Sequence, residues 1–272
     1  MGKMVRIGPV GIGGKMPLLL IAGPCVIEGR KTCLQIAGRL AGLAKKEKIP
    51  LIFKASYDKA NRSSLRSFRG PGLTTGIEIL AEIKQRYNLP ILTDVHNESE
   101  VSIVARVADV IQIPAFLSRQ TDLVLAVGES GRAVNIKKAQ FMAPEEIAHV
   151  IEKVESTGNK KILLTERGVS FGYNNLVADM RSLLVMRETG YPVIFDATHS
   201  VQRPGGGGGY TSGDGQWAPA LARAAVATGC DGVFIETHVS PGEARSDKDN
   251  AVPFAHLRAL WRILRQIDDV VS

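Results

Sequence analysis

The stretch Pro192-Val-Ile-Phe-Asp-Ala-Thr-His-Ser-Val-Gln202 decides the fold. Its apolar run, residues 193–195, is short and contains β-branched side chains, which is typical of a buried strand. After Pro204 come five glycines, Gly205 to Gly209, which cannot continue a regular element. Reactive side chains at the carboxyl end of a buried strand, followed by a loop, are typical of the active face of an α/β barrel. Such side chains follow this strand directly: Asp196, Thr198, His199, Ser200 and Gln202.

The same arrangement recurs along the whole chain. The predicted strands are Leu18–Ala22, Leu51–Lys54, Ile91–Asp94, Val110–Ile113, Ala133–Ile136, Ile162–Thr165, Val193–Asp196 and Gly232–Glu236. Amphipathic stretches predict helices between most of them, at Leu34–Lys48, Thr75–Tyr87, Glu98–Ala105, Pro144–Thr157, Val177–Glu188, Pro219–Thr228 and Pro253–Val270. Strands that alternate with helices over about 250 residues indicate an α/β protein with a single-domain (β/α)8 TIM barrel.

Residues 1–16 contain five glycines and no helical period, so they are predicted to form an N-terminal extension before the barrel of residues 17–272. The segment Gly11-Ile-Gly-Gly14 favours a tight turn and therefore a short hairpin. An open doubly wound sheet is the main alternative fold. That fold is expected to carry a glycine fingerprint after its first strand, whereas this chain has Gly23-Pro-Cys-Val-Ile-Glu28 there.

The composition restricts the class of partner. A net charge of +7 and a pI near 9.4 favour anionic ligands, but the basic pairs are scattered and form no stripe. We therefore expect phosphorylated metabolites rather than nucleic acid. The longest apolar run, Leu18–Ala22, is too short to cross a membrane, and no signal peptide is recognisable, so a cytoplasmic protein is expected. Three cysteines without a Cys-x-x-Cys pair argue against a disulfide framework.

One group of polar residues could bind a metal. It comprises Cys25, His199, Glu236 and an aspartate near position 247, which follow the first, seventh and eighth strands. These strands are neighbours in a closed barrel. The group is either a site for a divalent transition metal or a buried, inert thiol beside a salt-bridged carboxylate, and the residues alone leave both open.

A second group is cationic. Lysine is rarely buried without a partner, yet Lys54 and Lys137 end apolar strands. Two phosphates, or one phosphate and one carboxylate, would balance the whole group; pairing with Asp58, Asp94 and Glu166 is the alternative for some members. The group consists of Lys54, Lys59, Arg62, Arg119, Lys137 and Arg167.

Five motifs make the chain resemble the 3-deoxy-D-manno-octulosonate 8-phosphate synthase family between about residues 18 and 255. They are Ile21-Ala-Gly-Pro-Cys25, Phe53-Lys-Ala-Ser-Tyr-Asp-Lys-Ala-Asn-Arg-Ser-Ser64, Gln112-Ile-Pro-Ala-Phe116, Asn135-Ile-Lys-Lys138 and Asp196-Ala-Thr-His-Ser-Val-Gln202. The resemblance implies a transferase that condenses phosphoenolpyruvate with D-arabinose 5-phosphate and releases phosphate. Its product enters the inner core of lipopolysaccharide.

The related 3-deoxy-D-arabino-heptulosonate 7-phosphate synthases, which use erythrose 4-phosphate, are the second reading. They typically have Lys-Pro-Arg-Thr/Ser after the second strand, where this chain has Lys59-Ala-Asn-Arg-Ser63. A non-catalytic, anion-binding barrel is the third reading. The run Ser246-Asp-Lys-Asp249 departs from the family's Ser-Asp-Gly, so Asp249 competes with Asp247 as a candidate ligand.

The resemblance also implies roles for individual residues. The residues with implied catalytic roles are Lys54, Lys59, Asp94, Lys137 and His199. Substrate binding falls on Asn61, Arg62, Ser63, Gln112, Phe116, Arg119, Lys138 and Arg167. A cysteine at position 25 indicates the metal-dependent type, with zinc, iron, manganese, cobalt or cadmium bound by Cys25, His199, Glu236 and Asp247. The family further implies a homotetramer in which Arg119 reaches the site of a neighbouring subunit.

Overall fold

A computed structural model describes residues 2–207 and 211–271, and within them the chain folds into a closed barrel of eight parallel strands. Each strand pairs with the next along the chain. The last strand lies between the seventh and the first, which closes the barrel. The (β/α)8 fold predicted from the sequence is confirmed. The last residues of the glycine run, Gly208 and Gly209, lie outside the described residues.

The strands agree closely with the prediction, and four of the eight have the predicted bounds. They are β1 (Leu19–Gly23), β2 (Leu51–Lys54), β3 (Ile91–Asp94), β4 (Val110–Ile113), β5 (Ala133–Lys137), β6 (Ile162–Glu166), β7 (Val193–Asp196) and β8 (Gly232–His238). Strand β8 extends two residues beyond the predicted end because a short parallel strand, Val252–Pro253, pairs with its last residues. Every residue of these eight strands is buried, since the barrel interior covers one face and the helices cover the other.

The helices differ from the prediction in several bounds, since the first begins at Arg30 rather than Leu34, and more clearly at the fourth and sixth helices. They are α1 (Arg30–Glu47), α2 (Leu73–Tyr87), α3 (Glu98–Val104), α4 (Thr121–Glu129), α5 (Ile147–Ser156), α6 (Arg181–Arg187), α7 (Ala218–Thr228) and α8 (Phe254–Val271). Helix α4 was not predicted. The predicted start of α6 at Val177 was wrong, because Leu176–Val177 pairs as an extended strand with Val169–Ser170. Pro144 begins a 3-10 turn ahead of α5 and Pro219 lies in the first turn of α7, as predicted.

The N-terminal segment forms a hairpin that closes the amino end of the barrel. Val5–Ile7 pairs antiparallel with Val10–Ile12, so the turn lies at Gly8-Pro9 and the turn predicted at residues 11–14 was wrong. The inward side chains of the hairpin (Val5, Ile7, Val10 and Ile12) pack against interior residues contributed by all eight strands. A second, larger core lies between the strands and the surrounding helices, and it contains Cys33 and Cys230.

Among residues 2–207 and 211–271, no helix is long and apolar enough to cross a membrane.

Candidate active site

A cavity of about 610 Å³ opens at the carboxyl end of the barrel, opposite the hairpin. The loops after β2, β4, β7 and β8 form its walls. Most of the predicted site residues line it: Lys59, Asn61, Arg62, Ser63, Asp94, Gln112, Phe116, Lys137, Arg167, His199 and Asp247. The carboxyl ends of the strands therefore bring side chains together that are far apart in the sequence, as expected for this fold.

Five predicted residues do not line the cavity. Cys25, Lys54 and Glu236 are buried. Cys25 contacts the lining residue Asp247, Glu236 contacts the lining residue His199, and Lys54 pairs with Glu236. Lys138 is also buried; its ammonium group donates to the carbonyl of Met142 at 3.0 Å and lies 3.5 Å from Glu166. Arg119 is exposed and does not reach the cavity of its own chain.

The four predicted metal ligands form one cluster. One ligand atom from each of Cys25, His199, Glu236 and Asp247 lies within 4.8 Å of the other three. Strands β1 and β8 are paired in register, with Glu236 opposite Gly23, and this places the cysteine close to the glutamate. An added Cβ at Gly23 would lie 1.8 Å from the carbonyl oxygen of Lys54, so only glycine fits at the end of β1.

The loop after β8 supplies the aspartate of the cluster. Its Asp247 accepts a hydrogen bond from the Cys25 thiol at 2.9 Å and another from the Gln202 side chain. Asp247 has a left-handed backbone with φ of 48°. The competing candidate, Asp249, is exposed and lies outside the cluster. The structure thus places Asp247 with the other three ligands.

The imidazole of His199 is oriented by a buried carboxylate. Its Nδ1 lies 2.7 Å from Oδ2 of Asp196, and its Nε2 faces Glu236 at 3.4 Å. The same Asp196 accepts a hydrogen bond from Lys137. Burial alone would raise the pKa of Asp196, but its interactions with His199 and Lys137 hold it well below its usual value. An ionised Asp196 fixes Nδ1–H as the donor and leaves Nε2 as the free nitrogen.

The cluster fits a divalent transition metal. A thiol, an imidazole and two carboxylates are the donor set that such ions prefer. Oε2 of Glu236 is buried without a hydrogen-bond partner among the described residues, whereas Oε1 accepts from Lys54 at 2.7 Å. Burial and the nearby charges of Asp247 and Glu236 raise the pKa of the Cys25 thiol well above its ordinary value. Metal binding would therefore release a proton from Cys25.

The cations of the second predicted group lie at different depths. Lys54 and Lys137 are both buried. Lys54 pairs with Glu236 and Lys137 pairs with Asp196, and neither pair was predicted from the sequence. Arg167 is buried and donates to Gln202, but its Nη1 has no partner among the described residues. Asp58 was one of the carboxylates that could have paired with this group. It pairs with Arg69 instead, which is not a member of the group.

The loop between β2 and α2 carries the outer members of the predicted anion-binding group. Nε of Arg62 donates to the carbonyl of Phe68 at 3.0 Å, which holds the guanidinium at the cavity wall. The Phe68 ring in turn lies under the guanidinium of Arg245, at 3.7 Å from its centroid. This cation–π contact connects the loop after β2 with the loop after β8 that carries Asp247.

Two residues that contact the cluster had no role assigned to them from the sequence, although Asp196 was named among the polar side chains after its strand. Asp196 ends β7 three residues before His199, and this spacing was a usable signal. Ser246 lies 2.8 Å from the Cys25 sulfur and also donates to Asp247. No sequence signal indicates this contact, because the loop after β8 has no periodic pattern.

Comparison with known proteins shows the family of this chain. The sequence model of the DAHP synthetase I family matches residues 4–272. The chain belongs to the DAHP synthetase I family. Within that family, a 2-dehydro-3-deoxyphosphooctonate aldolase from Geotalea daltonii is 55% identical over 272 residues, which is 100% of both chains. Aldolases of the same name from Geobacter sulfurreducens (53%, 100% of both chains) and Francisella tularensis (50%, 98% of both chains) are also similar. The family resemblance predicted from the sequence is confirmed.

Proposed function

We propose that this chain is an enzyme that condenses phosphoenolpyruvate with D-arabinose 5-phosphate and water, giving 3-deoxy-D-manno-octulosonate 8-phosphate and inorganic phosphate. The observation that carries the proposal is a single cavity with two groups of anion-binding residues at different depths, in a chain 50–55% identical to the aldolases named above. The product supplies lipopolysaccharide biosynthesis, and the enzyme works in the cytoplasm.

The inner group would bind phosphoenolpyruvate. Lys137 and Arg167 are buried cations that line the cavity, and Gln112 is a buried neutral hydrogen-bonding group that also lines it. Charge-assisted hydrogen bonds from such groups to phosphate and carboxylate oxygens are strong in a site with little water. The unpartnered Nη1 of Arg167 supports this assignment, because a substrate oxygen would satisfy it.

The outer group would bind the phosphate of the sugar. Asn61, Arg62 and Ser63 line the wall formed by the loop after β2. A terminal phosphate bound there directs the aldehyde end of the sugar towards the floor of the cavity. C3 of phosphoenolpyruvate then attacks the aldehyde carbon while water adds at C2, and the resulting hemiketal phosphate loses phosphate by C–O cleavage to leave the ketone.

The cluster of Cys25, His199, Glu236 and Asp247 would hold a divalent metal, and zinc, iron, manganese, cobalt and cadmium all suit these donors. When bound, such an ion supplies a Lewis acid for the aldehyde or for water. The chain's own contribution is positional. Asp196 fixes the imidazole of His199, and Lys54 neutralises one oxygen of Glu236.

A phosphate-release assay that compares acceptors tests the proposal. We expect release with arabinose 5-phosphate to exceed release with erythrose 4-phosphate, because residues 59–63 read Lys-Ala-Asn-Arg-Ser rather than Lys-Pro-Arg-Thr. Equal or greater release with erythrose 4-phosphate would instead indicate a 3-deoxy-D-arabino-heptulosonate 7-phosphate synthase. Binding of phosphoenolpyruvate without release from either acceptor would indicate the non-catalytic barrel.

We also propose a homotetramer in which Arg119 completes the sugar-phosphate site of a neighbouring subunit. Arg119 is exposed and does not line the cavity of its own chain. Phe116, in the same loop, lines the cavity and is 53% exposed. If the proposal is correct, sedimentation velocity gives a tetramer. Arg62→Ala and Arg119→Ala chains, each with weakened sugar-phosphate turnover, then regain activity when they are mixed and reassembled. Lack of regained activity in verified mixed tetramers would contradict it.

A further inference from the structure

The loop after β3 contains a largely buried histidine between two carboxylates. Nε2 of His96 lies within hydrogen-bond distance of Oδ2 of Asp94, at 3.2 Å, and Asp94 ends β3. Nδ1 lies 3.4 Å from Oε2 of Glu100 in α3, which is an ion-pair contact without a well-aligned hydrogen bond. The His96 side chain is 11% exposed and lines the cavity beside Asp94. A ring with a carboxylate on each nitrogen is matched best when both nitrogens carry protons.

Glu100 is itself held in place by two short hydrogen bonds. Its Oε2 accepts from the hydroxyl of Tyr57 at 2.6 Å and from the backbone N–H of His96 at 2.7 Å. Tyr57 follows β2, is fully buried, and presents its ring edge-on to the His96 ring at a centroid distance of 5.5 Å. The Tyr57 hydroxyl and the His96 backbone N–H therefore fix Oε2 of Glu100 next to the imidazole.

Asp94 has one oxygen engaged and one free. Oδ2 interacts with His96, whereas Oδ1 is buried and has no hydrogen-bond partner among residues 2–207 and 211–271. Asp94 lines the cavity, so its carboxylate is the group placed to accept a hydrogen bond from a substrate hydroxyl once the substrate is bound. A carboxylate that rotated or became protonated would lose this capacity.

We propose that Glu100 is a positioning residue that, together with Tyr57, holds the His96 ring so that Nε2–H binds Oδ2 of Asp94 and the Asp94 carboxylate stays fixed and ionised at the cavity wall. The proposal rests on the function proposed above, because it assigns the Asp94 carboxylate to a hydroxyl group of the sugar phosphate. It adds to that function a residue that does not line the cavity.

The surrounding charges support the arrangement. Burial alone would lower the pKa of His96, but the hydrogen bond to Asp94 and the negative charges of Asp94, Glu100 and Asp58 raise it above its usual value. Burial alone would raise the pKa of Asp94, whereas His96, Lys59 and Lys54 lower it. The pair therefore remains charged, as imidazolium and carboxylate, over a wider pH range than the isolated groups would.

The test replaces Glu100 by glutamine in the metal-loaded enzyme. Glu100→Gln keeps an oxygen that can accept the hydrogen bonds of Tyr57 and of the His96 backbone, but it removes the charge. We expect the NMR titration of His96, recorded without substrate, to move to lower pH by about one unit or more, which is about tenfold in the ionisation of the ring. The kcat/KM for the sugar phosphate should then fall about tenfold at pH 8 and recover as the pH is lowered.

Two variants serve as controls. Glu98→Gln removes an exposed carboxylate from the first turn of the same helix and should leave both the titration and the pH profile unchanged. Tyr57→Phe keeps the Glu100 charge and should leave the His96 titration raised. The affinity for phosphoenolpyruvate should be the same in all three variants.

The outcomes separate this proposal from the proposed function. A His96 titration and pH profile that do not move in Glu100→Gln would overturn the positioning role, even if the enzyme is fully active with arabinose 5-phosphate. A shifted titration in a protein that releases no phosphate from either acceptor would instead refute the proposed function and leave the Glu100–His96 interaction standing.

Discussion

The two ends of the barrel interior are both buried, but they are built from opposite chemistry. At the amino end, Ile7 and Ile12 of the hairpin pack against apolar strand residues, and Ile12 is fully buried. At the carboxyl end the buried pairs are ionic, and in the pair of Lys54 with Glu236 each side chain is 1% exposed. Burial of apolar area stabilises the fold, whereas taking ions out of water costs free energy that their attraction rarely exceeds. The hairpin end therefore contributes stability, and the charged end is explained by function.

The largest expected effect tests the functional end through Cys25→Ala. Without the thiolate the cluster should bind metal poorly, and kcat should fall by on the order of 1,000-fold, the scale of a lost electrostatic contribution to the transition state. The melting temperature should change by less than about 4 °C, which corresponds to about 1 kcal/mol in a chain of this size. Elemental analysis, phosphate release and thermal melts measure the three quantities.

Cys33→Ala is the matched control, because Cys33 is buried in the apolar face of α1 and does not line the cavity. It should lower stability and leave the metal content unchanged. A wild-type protein that is fully active when elemental analysis finds no metal would refute the assignment of the cluster.

The next effect tests the apolar end. Ile12→Ala leaves a cavity in the packed interior, so the free energy of unfolding should fall by about 2–4 kcal/mol. Activity per folded molecule should remain, because the hairpin lies at the opposite end of the barrel from the substrate cavity. Denaturant unfolding and phosphate release measure the two properties. Ile263→Ala in α8, where the side chain is 40% exposed, should cost much less. An activity loss without a stability loss in Ile12→Ala would contradict the division between the two ends.

A smaller effect distinguishes the two depths of the cavity. Arg62→Ala removes a charge-assisted contact to the sugar phosphate, which should cost about 2 kcal/mol, or roughly thirtyfold in affinity. The affinity for phosphoenolpyruvate should change little. Separate calorimetric titrations of the two substrates measure this, with the exposed, non-lining Arg66→Ala as the control. Equal losses for both substrates would mean that the two anion sites are misassigned.

The smallest effect concerns the contact between Phe68 and Arg245. Phe68→Leu removes the cation–π interaction but keeps the backbone carbonyl that Arg62 binds. The free energy that stabilises the loop in this position should therefore fall by about 0.5–1 kcal/mol. The KM for the sugar phosphate should rise about two- to fivefold, with kcat unchanged. Phe68→Tyr retains the ring and should behave like the wild type. An unchanged KM in Phe68→Leu would show that the loop is held in place without this contact.

The barrel strands could be predicted from the sequence, because each strand is a short apolar run followed by polar residues. Strand β7 has the bounds that the stretch at 193–196 predicts. Helix α4 was missed although Thr121 and Asp122 begin it and Leu123, Val124 and Val127 are spaced as on a helical face. Its short length and its position directly after a 3-10 turn made it look like part of the loop after β4.

The pairings inside the site could not be predicted in the same way. Lys54 and Glu236 are 182 positions apart, and which cation meets which carboxylate depends on the register of β1 between β8 and β2. The choice of Asp247 over Asp249 depends on a left-handed turn at a residue that is not glycine, and residue types alone do not indicate such a turn.

The hairpin imposes an order on folding during synthesis. It precedes every barrel strand in the chain and therefore leaves the ribosome before them. Its apolar side chains are buried only by a surface to which all eight strands contribute, the last of them at residues 232–238. Until more than 200 further residues have been made, Val5, Ile7, Val10 and Ile12 lack the surface that covers them. A nascent chain with such exposed apolar groups is prone to aggregation, so this fold is expected to depend on a chaperone during translation.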